Sequence, residues 1–152
     1  MVSEGPSAEV RVAAFIDAYP PKIGKLGREV LEQMRALLPG MVELVYDNYQ
    51  WLVVGFSATE RPSDAAFSIV FQPHKIGLVF LHGASLKDPG GILQGSGKQV
   101  RNLELTDSGD LRRPAVRELM DQELRGAPVW DRTRVRQVVV RAEARKRKPR
   151  RP

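Results

Sequence analysis

Apolar positions along the first forty residues recur every three to four, and beyond them every two. Val12, Phe15, Ile16 and Tyr19 stand at i, i+3, i+4 and i+7, one face of a helix that the Ser7 hydroxyl is placed to cap. Pro20 and Pro21 end that helix, and Pro21 is suited to the first position of another. In this second helix Ile23, Leu26, Val30, Met34, Leu37 and Leu38 form the apolar stripe. Gly24 and Gly27 weaken it by roughly 1 kcal/mol each relative to alanine, which suggests close packing there. Pro39 and Gly40 terminate it.

Strand patterning follows. "VELVY" alternates, with Val42, Leu44 and Tyr46 on one side, and Asp47 and Asn48 predict a turn. "WLVVGF", Trp51 to Phe56, is apolar throughout and predicts a central strand covered on both faces. Phe67, Ile69 and Phe71 mark a third strand, and "KIGLVFLH" a fourth with Ile76, Leu78, Phe80 and His82 on one face. After the glycine-rich segment Gly83–Gly97, "QVRNLEL" reads as a fifth. Asp110 or a neighbour starts a last helix with Val116, Leu119, Met120 and Leu124 as its core face. The β-branched "TRVRQVVVRA" then predicts an edge strand. The expected architecture is α+β: two N-terminal helices, an antiparallel sheet of five to six strands with helices on one face, and one C-terminal helix.

Charge changes this picture at one end only. Residues 141–152, "RAEARKRKPRRP", hold seven Lys or Arg against one Glu and so account for the whole net charge of +6. The expected organisation is a single domain over 1–140 and a disordered basic tail over 141–152. Lys146, Arg147, Lys148, Arg150 and Arg151 could hold phosphate backbones without sequence preference, which makes nucleic acid a possible partner. The absence of cysteine removes disulfide scaffolds, thiol catalysis and thiolate metal sites. No apolar run approaches the length of a membrane span, and no signal peptide is seen, so a cytoplasmic protein is expected.

The stretch "LQGSGKQVRNLEL", Leu93 to Leu105, invites comparison with a phosphate-binding loop. That motif needs glycine where Ile92 stands, Ser or Thr where Gln99 stands, and a helix where the pattern is that of a strand. It reads instead as a turn into a strand. Together with "GLVFLHGASLKDPGG" before it, and with "MVELVYDNYQWLVVGF", the stretch resembles the signature of the YdhG-like domains, a bacterial family of unknown function. The likeness covers residues 8–126. Some members are labelled intracellular iron chaperone, or frataxin-like, so the resemblance implies iron as one candidate cargo. The family often has His after the arginine of this strand, where this chain has Asn102.

The residues themselves give that label little. Glu9, Asp17, Glu29, Glu32 and Glu43 are interleaved with Lys22, Lys25, Arg28 and Arg35, and neither His74 nor His82 has a carboxylate at ligand spacing. No metal ligand set and no cofactor site are therefore assigned. Arg101 shares a strand face with Leu103 and Leu105, so its guanidinium must find a partner. Two partners are open: Asp88 of "KDPGG", in a bidentate pair, or an anionic ligand held with Lys98. His82 is expected to be a hydrogen-bonded structural residue, with a place beside such a ligand as the other possibility. Tyr46 would supply a wall. No nucleophile–base pair or carboxylate dyad can be drawn, so a non-enzymatic small-ligand or anion-binding module is expected.

Overall fold

The computed structural model of the protein describes residues 7–48 and 50–143. Helix α1 spans Ala8–Asp17, and the Ser7 hydroxyl accepts a hydrogen bond from the Val10 amide as the spacing predicted. Helix α2, Pro21–Leu37, opens on Pro21 and buries Ile23, Val30, Leu31 and Met34. Five antiparallel strands follow: β1 (Val42–Asn48), β2 (Trp51–Ser57), β3 (Ala65–Phe71), β4 (Ile76–Phe80) and β5 (Arg101–Leu105). Asp47 and Asn48 belong to β1, so the first hairpin turns later than expected. Asp107 and Asp110 form a reciprocal capping box on a short 3-10 turn, and helix α3, Pro114–Arg125, begins at the proline.

The sheet is mixed, which corrects the all-antiparallel expectation. Its order is β5-β4-β3-β2-β1-β6, and β6 (Gln137–Glu143) lies on the edge, parallel to β1. A β-branched run specifies a strand without specifying its partner, and the partner here is set by the connection. Between α3 and β6 the chain passes the end of α2, whose last carbonyls have no intrahelical donors. Trp130 Nε1 donates to Pro39 O at 2.8 Å, Arg132 to Leu37 O at 3.2 Å, and Arg134 to Gly40 O at 2.7 and 2.9 Å. These bonds deliver β6 beside the start of β1. The strand also runs to Glu143, so residues 141–143 belong to the sheet and not to a tail.

Alternation divides the sheet into two unlike faces. Leu52, Val54, Phe56, Phe67, Ile69, Phe71, Ile76, Leu78 and Phe80 point to the helices and are buried in one apolar cluster with all three of them. Gly27 makes this possible, because a Cβ there would lie 2.0 Å from the Phe71 ring. Among the described residues no helix lies against the opposite face. Strand β2 is interior, as expected, yet Val53 is only half-buried and Trp51 is 49% exposed. Among the described residues no helix is long and apolar enough to cross a membrane.

Candidate functional site

The loop singled out by its glycines is held by its own residues. Arg101 does share a face with Leu103 and Leu105, but its guanidinium donates to Gly97 O at 2.6 Å and Val100 O at 2.9 Å. Asp88 accepts from the amides of Ile92, 3.1 Å, and Leu93, 2.9 Å. Each charged group is satisfied within its own turn, so the expected Arg101–Asp88 pair does not form. Lys98 is exposed, with no hydrogen bond or ion pair among the described residues. Tyr46 lies on β1, three strands from β4, and alternates with Val45 and Asp47 so that it faces away from the helices. It cannot wall a site shared with Arg101 and His82.

His82 follows β4 and meets a residue that the sequence reading passed over. Its Nδ1 lies 2.7 Å from Glu123 Oε2, and its backbone amide donates to Oε1 at 3.2 Å. Glu123 is 2% exposed, whereas the imidazole is about half exposed, at 51%. Burial pushes the Glu123 carboxyl above its ordinary range, and the two hydrogen bonds from His82 only partly oppose it. The neighbouring Gln122 exchanges two hydrogen bonds with the backbone of Lys87, at 2.8 and 3.0 Å. Together they clasp the start of the loop to α3. Ser85 Oγ donates to the carbonyl of His82, not to its ring, and no nucleophile–base pair results. The overlooked signal was spacing, since Glu123 continues the apolar face of Val116, Leu119 and Met120.

The interleaved charges of the first helices come together elsewhere. Arg28 pairs with Asp17. Arg35 forks onto Glu43 of β1, Nε to Oε2 at 2.8 Å and NH2 to Oε1 at 2.9 Å. Arg136, just before β6, reaches Glu43 at 3.5 Å and Glu9 at 3.0 Å. Glu43 is 1% exposed and carries two guanidiniums whose own side chains are partly exposed. The Arg35 pKa is held above its ordinary value by that hydrogen bond, against the opposing effect of burial. Above this network α1, α2 and β6 enclose a recess of about 270 Å³. Val12, Ile16, Leu31 and Val138 supply its apolar lining, and Arg28, Arg136, Glu9 and Glu32 its polar rim.

Arginine keeps its proton at any physiological pH, so these guanidiniums offer charge and a planar fork and no acid–base chemistry. Of the acidic side chains named as iron candidates, Glu9, Asp17 and Glu43 are engaged by arginines. Among the described residues no group of three or more His, Asp or Glu is placed to hold a metal ion. Lys146, Arg147, Lys148, Arg150 and Arg151 lie outside the described residues. No protein-family model, characterised protein or solved structure matches the chain.

Proposed function

We propose that the protein is a non-enzymatic ligand-binding domain, and that the recess between α1, α2 and β6 takes a small amphiphilic anion. One observation carries this reading: guanidiniums anchored on a buried carboxylate border an apolar recess. Arg136 is held from below by Glu43 and meets the exposed Glu9 at the rim. A ligand carboxylate replaces Glu9 on that guanidinium, while an aliphatic portion covers Val12, Ile16 and Leu31. Membership of the YdhG-like domains is part of the proposal, supported by the motif from Gly77 to Leu105.

Titration of the full chain with octanoate, followed by backbone amide NMR, tests the site. The expected result is saturable shifts confined to α1, α2 and β6, weakened at least tenfold in Arg136→Gln. Shifts clustered at the Gly83–Gly97 loop, or none with octanoate, would overturn it.

A further inference from the structure

Gly77 stands in the middle of β4 with no structural need to be glycine. It is not among the glycines with positive φ. A Cβ added there would meet nothing closer than Leu103 O at 3.9 Å. At two other positions the packing explains the choice: Gly27 admits the Phe71 ring, and Gly83 admits the Arg101 stem, whose Cβ would lie 2.5 Å from an added one. Glycine inside a strand costs about 0.5–1 kcal/mol relative to alanine, and besides bulges and bends it occurs where a ligand or another backbone approaches closely.

The space that Gly77 leaves is part of a second recess, of about 220 Å³, on the sheet face that no helix covers. Val70 of β3 pairs with Gly77, Glu104 of β5 pairs with it on the other side, and Trp51 and Val79 complete the lining. Gln94 closes the far rim, where its backbone exchanges two 2.8 Å hydrogen bonds with Asn102. The Asn102 amide also donates to Gln94 O at 3.2 Å. The side chains of Gln72, Gln94, Lys75 and Glu104 line the same recess, and among the described residues none has a hydrogen-bond or ion-pair partner. This is the reverse of the arginine recess, whose guanidiniums are already paired.

We propose that this second recess binds a saccharide unit, a neutral ring with a C–H face and a rim of hydroxyls. The half-exposed indole of Trp51 offers an apolar face for the ring carbons. Two carboxamides, one ammonium and one carboxylate offer both donors and acceptors, the mixture that hydroxyl groups satisfy. Lys75 and Glu104 cancel, so nothing selects a phosphate or a polyanion. The volume falls below the roughly 300–1,000 Å³ of pockets for drug-sized ligands, which fits one ring seated over the bare backbone of Gly77.

The test uses the full chain and follows the Gly77 amide and the Trp51 indole N–H by NMR. The probes are glucose, N-acetylglucosamine and the β-1,4-linked tetrasaccharide of each, with adenosine monophosphate as a charged planar comparator. Saturable movement of both signals with at least one saccharide is expected. Trp51→Ala and Gly77→Val should each weaken it at least tenfold. Valine fills the recess while suiting a strand, so Gly77→Val should unfold at an unchanged or higher temperature. No saturable shift with any saccharide, affinity unchanged in Gly77→Val, or response to the nucleotide alone would each overturn the proposal.

Discussion

Glu43 and Glu123 are both carboxylates sealed beneath a layer that is otherwise apolar, yet their partners make them unlike. Glu43 meets two guanidiniums, charges that cannot be discharged by any ordinary change of pH. Glu123 meets one imidazole and one amide, and there burial prevails, so its affinity for a proton rises. Equal burial therefore does not imply equal behaviour. A permanent cation turns a buried carboxylate into a fixed anchor, while a half-exposed imidazole and one amide leave Glu123 responsive to protons.

Removing each anchor should expose the difference most strongly. Glu43→Ala removes both bonds of the Arg35 fork and leaves the partly exposed Arg136 with Glu9 alone, and is expected to cost about 3 kcal/mol in urea denaturation, the value of two hydrogen bonds to a charged group. Glu123→Ala leaves an imidazole that water can reach and one amide, and should cost about 1–3 kcal/mol. Equal losses would erase the distinction. Next, Arg35→Lys keeps the charge but loses the fork, and should cost about 1.5–3 kcal/mol, the value of one hydrogen bond to a charged group.

The pH dependence sharpens the comparison further. Because the folded-state pKa of Glu123 is raised, the stability linked to its protonation is complete below the ordinary glutamate range and lost as pH rises through the raised value. Glutamine cannot lose that proton. Glu123→Gln should therefore gain on the wild type as pH increases from the ordinary carboxylate range upward, measured by denaturation at a series of pH values. A gap that stays flat or narrows with rising pH would contradict the assignment. The smallest effect belongs to His82→Ala, about 0.5–1.5 kcal/mol, because the backbone amide still donates to Glu123.

Local periodicity made the layers legible. Val12, Phe15, Ile16 and Tyr19 are all buried, and so is the stripe of α2 from Val30 to Met34. The site was less so, because its partners are remote in sequence. Arg101 visibly needed an acceptor, but the carbonyls of Gly97 and Val100 became available only once the turn was built. Asp88 has a charge that suits a partner across the loop, but its nearest donors are the amides four and five residues on. Glu43 gave no sign of its role, since Arg35 reaches it across the end of α2 and Arg136 from 93 residues away. Trp51 was expected inside a strand covered on both faces, and only the placement of all three helices on one side leaves its indole in the open.

The parallel pairing of β6 with β1 sets an order of assembly. Synthesis proceeds from the N-terminus, so α1, α2 and the first five strands exist before Gln137 is made. Until then the outer edge of β1, from Val42 to Asp47, presents unpaired backbone groups, the kind of edge that recruits other chains. Over the same interval Glu9 has no Arg136, Arg11 has no Glu143, and the arginine recess lacks the wall that Val138 provides. Among the described elements β6 is the last to be made, and the recess is complete only once it is in place. A nascent chain can shield its core before that recess has its third wall, so a stall ahead of Gln137 leaves a packed core beside an open edge.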